Sequence, residues 1–86
     1  MNDYADNNGN SSVDKYKIGN DFIIVKFKEN KYSSVLYYRY TYASGSQFHI
    51  EEMKKLAQFG SGLSSYINTK KVQHIVKGET LESVEG

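Results

Sequence analysis

Two runs of strand-forming residues, separated by only six positions, constrain this chain more than anything else in it. In residues 21–28, DFIIVKFK, the alternation of an extended chain puts Ile23, Val25 and Phe27 on one face and Phe22, Ile24, Lys26 and Lys28 on the other. The first face is the core candidate. Residues 35–42, VLYYRYTY, are rich in the β-branched and aromatic side chains that suit a pleated surface. Between them, ENKYSS is a turn or hairpin loop, and two adjacent strands with so short a link predict an antiparallel hairpin.

A hairpin alone is not stable in water, so something must cover its apolar face. Residues 49–60, HIEEMKKLAQFG, have helical spacing, with Ile50, Met53, Leu56 and Ala57 on one stripe. Glu51 and Glu52 come early, Lys54 and Lys55 later, as the helix dipole favours, and Gly60 supplies the stop. Residues 60–69, GSGLSSYINT, lack both the Lys-Ser/Thr ending of a phosphate-binding loop and the third glycine of a dinucleotide fingerprint. They read as a tight connection that folds Leu63, Tyr66 and Ile67 back on the core, as a helical turn ending near Asn68. Residues 70–77, KKVQHIVK, suit a short last strand or a helical turn equally. The fold class expected is α+β: a small antiparallel sheet, a hairpin with or without a short third strand, packed against one amphipathic helix.

The chain has 86 residues and no cysteine. It is one domain at most, near the size at which a core is marginal, and it has no disulfide, thiolate metal site or Cys nucleophile. The absence of cysteine suits a reducing compartment, and no run of residues is apolar and long enough for a membrane span or a secretory signal, so a cytoplasmic protein with no membrane partner is expected. Charge is unevenly spread. Residues 1–14 carry Asp3, Asp6 and Asp14 without a base, and residues 78–86 carry Glu79, Glu82 and Glu85 without a base. All 11 Lys and Arg residues fall between, against four acids, so that the middle carries 11 − 4 = +7. Both ends are rich in turn formers or poor in apolar groups, which predicts disordered acidic tails over 1–14 and 78–86 and a folded unit of residues 15–77.

A basic body favours an anionic partner. If Leu36, Tyr38, Tyr40 and Tyr42 pack on the core side, then Tyr37 and Arg39 share the opposite face with Lys26 and Lys28. Cations beside aromatic rings are competent for single-stranded nucleic acid, the cations meeting phosphates and the rings stacking on bases. The expected binding residues are Lys26, Lys28, Arg39, Lys70 and Lys71 for phosphates, with Tyr37 and Tyr32 for stacking. A structural alternative is a half-buried tyrosine strand with protective edge lysines.

The order of pieces over about residues 16–70 resembles the KTSC domain, named for its place at the C-terminus of some lysyl-tRNA synthetases and found also as small stand-alone bacterial and phage proteins. The features that carry the resemblance are the Phe-Lys strand end in Val25-Lys26-Phe27-Lys28, the Tyr-x-Tyr of Tyr38-Arg39-Tyr40 or Tyr40-Thr41-Tyr42, the short amphipathic helix, and the small-residue turn into Tyr66-Ile67-Asn68. The resemblance implies RNA binding, as suggested for that family.

An enzyme is not expected. His49 and His74 stand far apart and lack ligand spacing, and no serine sits in a strand-turn-helix nucleophile motif, so no cofactor or metal is called for. A non-enzymatic module binding RNA or single-stranded DNA is one expectation. The alternative is a small bacterial or phage accessory protein that modulates a protein partner through an open sheet edge or its acidic tails. Such an edge also makes a homodimer a candidate assembly.

Overall fold

A computed structural model describes residues 1–85. Among them the chain runs through β1 (Asn2–Asp3), β2 (Val13–Ile18), β3 (Phe22–Phe27), β4 (Tyr37–Thr41), α1 (Tyr42–Gly45), α2 (Gln47–Phe59), α3 (Leu63–Lys70), β5 (Val76–Gly78) and α4 (Leu81–Glu85). The α+β class is as expected, but the sheet has five antiparallel strands, in the order β1-β2-β3-β4-β5, where two or three were anticipated. Four helices accompany it rather than one.

The hairpin of β3 and β4 sets the register of the sheet, with Ile23 opposite Tyr40, Ile24 opposite Arg39, Val25 opposite Tyr38 and Lys26 opposite Tyr37. Ile23, Val25 and Tyr40 therefore share one face, which α2 and α3 cover with Ile50, Met53, Ala57, Leu63 and Ile67. β4 stops one residue early. Thr41 accepts the Ser44 N–H on its Oγ1 at 3.2 Å while Ser44 Oγ accepts the Thr41 N–H at 3.0 Å, and this reciprocal cap turns Tyr42 into the first residue of α1. The stripe of α2 is as its spacing predicts, and it ends at Gly60, whose backbone is left-handed at φ +83°. A side chain there would be strained and would also meet Ala5, since a Cβ would lie 2.6 Å from the Ala5 Cβ. The alternative left open over residues 72–76 resolves mostly as neither element: Val72 packs in the core and only Val76–Gly78 pair, with β4.

The chain outside residues 15–77 differs most from expectation. β1 pairs with β2 and the Tyr4 N–H donates to Asp14 O at 3.0 Å, which seats the buried Tyr4 ring in the core. The loop that follows closes the C-terminus of α2: Asn7 N–H donates to Gly60 O at 2.8 Å and Asn7 Nδ2 to Phe59 O at 2.8 Å. Those carbonyls have no partner within the helix, so a segment that supplies donors to them gains order in return. At the other end α4 packs on β4 and β5, and Val84 is only 2% exposed. Val84 and the fully buried Ile24 both lie outside the main cluster, and Ile24 points to the sheet face away from α2, as alternation beside Ile23 requires. Few apolar groups suffice at these ends because each enters a place already built by the rest of the chain.

Candidate functional site

The face of the sheet that carries Lys26, Tyr37 and Arg39 is assembled as the alternation predicts, but it is not an open basic surface. Lys26 Nζ is 2.7 Å from Asp14 Oδ2 and 6.0 Å from the Tyr37 ring centroid. Lys28 Nζ is 2.9 Å from Asp6 Oδ2. The guanidinium of Arg39 lies 4.1 Å over the Phe22 ring and its Nη1 donates to the carbonyls of Val84 and Glu85 at 3.2 and 3.1 Å. Cations at the end of a helix satisfy carbonyls that the helix leaves bare, so Arg39 acts here as a cap for α4. On β2, Lys15 pairs with Asp3 and Lys17 with Glu85. Four of the six acids in the terminal segments thus neutralise lysines of the sheet, and the +7 of the middle segment is largely screened from within.

These contacts shift the groups that make them. Hydrogen bonds from Lys15 and Lys28 hold the Asp3 and Asp6 carboxyls below the ordinary aspartate value, and the bond that Lys26 donates to Asp14 raises the Lys26 value. A carboxyl whose pKa is depressed by folding adds stability above its unfolded value and loses it as pH falls through the folded one. His74 shifts in the same sense for another reason: burial, and then Lys77, lower its pKa below 6.5. Its ring stands edge-on to Tyr38 and Tyr40, with centroids 5.0 and 6.3 Å away. Neutral His74 is favoured in the folded state, so its contribution is present above about pH 6.5 and declines as pH falls below it. Acidification should therefore loosen the fold in two stages, first around His74 and then, from about pH 4 downwards, at the N-terminal segment. An NMR titration checks this through the His74 ring protons and the amides of Tyr4 and Asn7; a His74 midpoint at or above the ordinary histidine value would contradict it.

The remaining sequence-derived residues sit elsewhere. Tyr32 is 86% exposed in the loop between β3 and β4, with Lys31 Nζ 5.4 Å from its ring centroid. Lys70 and Lys71 are exposed at the end of α3, and neither they nor Lys31 has an acidic partner among the described residues. The loop and the end of α3 meet across a cleft of about 350 Å³ lined by Phe27, Val35, Leu36, Tyr38, Tyr40 and Ile67. Asn30, Ser33 and Asn68 supply its polar lining. Sequence reasoning overlooked Lys31, Asn30 and Asn68. The signal available was the loop itself, where Asn30-Lys31-Tyr32 combines an amide, a cation and a ring, but only the fold brings it to Asn68.

Other arrangements offer less chemistry. A 2.6 Å hydrogen bond joins His49 Nδ1 and the Tyr66 hydroxyl, which orients the imidazole. The described residues contain no group of three or more His, Asp or Glu side chains placed to hold a metal ion. No helix among them is long and apolar enough to cross a membrane. The fold defines a small α+β domain built on one antiparallel sheet. No family model matches the chain, and no curated protein and no solved structure matches it either.

Proposed function

We propose that the chain is a small non-enzymatic, cytoplasmic module that binds single-stranded nucleic acid, RNA or DNA, along the β3–β4 loop and the end of α3. The observation that carries this reading is the placement of Lys31, Lys70 and Lys71, cations without acidic partners among the described residues, within three positions of Asn30 and Asn68, which line a cleft with aromatic walls. Exposed lysines exchange condensed counterions for phosphates, while the pairs made by Lys26, Lys28 and Arg39 would have to break first. Of the residues expected from sequence, Tyr32, Lys70 and Lys71 therefore carry the contacts, and Lys26, Lys28, Tyr37 and Arg39 build the sheet face that holds the ends. The resemblance to KTSC domains, with their suggested RNA binding, points to the same class of ligand.

The test is the salt dependence of binding to a fluorescent oligouridylate, followed by anisotropy. Binding weakens with salt, and Lys31→Gln, Lys70→Gln and Lys71→Gln each reduce the slope of log K against log salt by about 0.7, as expected for one released counterion on a single strand. Absence of binding at low salt would overturn the proposal.

A second reading has one observation in its favour. β5 is an outer strand of the sheet, and its first residue, Val76, and the adjoining Ile75 are 36% and 56% exposed. A partner protein, or a second copy of this chain, could add a strand there, which is the accessory-protein alternative in structural form. Such an interface is held by backbone hydrogen bonds, so its affinity is nearly independent of salt.

A further inference from the structure

We propose that the cleft between the β3–β4 loop and α3 receives a single unstacked base of the bound strand, an inference that rests on the nucleic-acid reading and names the base-binding site within it. Its walls are flat. Phe27 and Tyr38 meet edge to face with centroids 5.4 Å apart, and Tyr38 and Tyr40 lie nearly parallel at 6.5 Å. A planar heterocycle inserted beside such rings gains dispersion and stacking on its faces, and aromatic contact with bases is a principal source of affinity for single strands.

Part of the hydrogen-bonding capacity of the lining is unspent. Tyr40 is only 3% exposed, yet its hydroxyl has no partner among the described residues. No buried side-chain polar atom among the described residues lacks a hydrogen bond, so this oxygen retains access to the cleft that Tyr40 lines. A tyrosine buried to this degree normally satisfies its hydroxyl, and one left open into a cavity is available to a ligand. Asn30 Oδ1 already accepts the N–H groups of Tyr32 and Ser33 at 2.8 and 3.0 Å, which leaves its Nδ2 as a donor. Asn68 is exposed and its side-chain amide makes no hydrogen bond among the described residues, so it offers a donor and an acceptor together. An amide of that kind matches the paired donor and acceptor on the edge of a base.

Charge selects the direction of the strand. Lys70 and Lys71 follow Asn68 closely in the chain, whereas the recess on the other side of the loop, which shares Asn30, Ser33 and Leu36 with the cleft and is lined also by Lys31 and Tyr32, sets two carboxylates, Glu29 and Glu79, against one cation. Lys31 can hold one phosphate there, but the two carboxylates repel further ones, so the rest of the backbone leaves the cleft over the end of α3.

The experiment uses the full chain, with uridine and adenosine as probes for the base alone and a short oligouridylate as probe for the strand. Amide and ring resonances of Tyr38, Tyr40, Ile67 and Asn68 are expected to move with both probes. Asn68→Ala is expected to weaken the oligonucleotide about tenfold, and Tyr40→Phe less, with an unchanged thermal midpoint in each case. Gln58→Ala, on the exposed side of α2, serves as the neutral control. If the oligonucleotide binds with its salt dependence intact but the cleft resonances stay still and Asn68→Ala binds normally, the base site is overturned while the nucleic-acid reading stands. If neither nucleosides nor oligonucleotide bind, or if only N-acetylphenylalaninamide moves the cleft resonances, both are overturned, the second result pointing to a peptide ligand.

Discussion

Tyr4→Ala is expected to destabilise the domain by about 3–5 kcal/mol, the range for truncating a large buried aromatic side chain, and so to remove much of the stability of a chain this short. The ring is 6% exposed and belongs to the main cluster with Val13, Tyr16 and Leu63. Its hydroxyl does a second job by accepting the Leu63 N–H at 3.3 Å, which satisfies a donor at the start of α3 where Gly62 provides no side-chain cap. The two contributions separate by substitution. Tyr4→Phe keeps the ring and loses the acceptor, so its cost is about 1 kcal/mol, the net worth of an ordinary hydrogen bond. Urea unfolding followed by circular dichroism measures both. A Tyr4→Ala midpoint equal to that of the parent would mean that the N-terminal segment contributes nothing to the fold.

Deletion of residues 81–86 is the second large effect, at about 2–3 kcal/mol, the stabilisation from burying a valine together with the cover it gives its neighbours. It removes Val84 and, with it, the carbonyls that Arg39 engages. The deletion also frees Arg39, and it releases Lys17 from Glu85, so it should strengthen non-specific binding to polyanions while it weakens the fold. Opposite signs for stability and polyanion affinity in one variant distinguish a packed, charge-masking helix from a loose acidic tail. A tail that merely screens charge would alter the affinity alone. Thermal unfolding and anisotropy on the deleted and full chains provide the two readouts.

What could be read from the sequence is what a short local pattern shows. β3 and β4 are compact runs of strand-forming residues joined by a short loop, α2 shows its stripe, and Gly60 marks the end of that helix; the structure has all of these within a few residues. β2 was illegible for a specific reason. Val13 and Tyr16 are both buried although an odd number of positions separates them, because the pairing with β3 shifts register between Val13 and Lys15. A bulge adds one residue on one strand and resets the alternation, so the period-two test fails on a true strand. The terminal segments were misjudged through composition. Tyr4 and Val84 are among the few apolar residues of largely polar segments, and an average over each segment dilutes them, whereas each packs against distant parts of the chain. Thr80-Leu81-Glu82-Ser83 did carry a local signal for α4, since Ser83 N–H donates to Thr80 Oγ1 at 3.2 Å and Ser83 Oγ to Thr80 O at 2.6 Å. The same Thr-x-x-Ser spacing caps α1.

The candidate site shows the same division. Alternation grouped Lys26, Tyr37 and Arg39 on one face, but the occupancy of that face by Asp14, Val84 and Glu85 depends on contacts between residues far apart in sequence. A basic stretch flanked by acidic ends is a statement about net charge. Only the fold decides whether the acids lie on the bases or stay in solvent.

Native-state amide hydrogen exchange on the full chain is the most direct measurement of the central claim, that both acidic ends fold onto the basic sheet and leave the loop and the end of α3 as the open surface. Slow exchange is predicted at Tyr4, Asn7 and Lys28, whose N–H groups donate to Asp14, Gly60 and Ser12 carbonyls at 3.0, 2.8 and 2.8 Å, with fast exchange at the exposed Lys31. Exchange at Tyr4 and Asn7 as rapid as in an unstructured peptide would contradict the account and return the sheet lysines to the list of free cations.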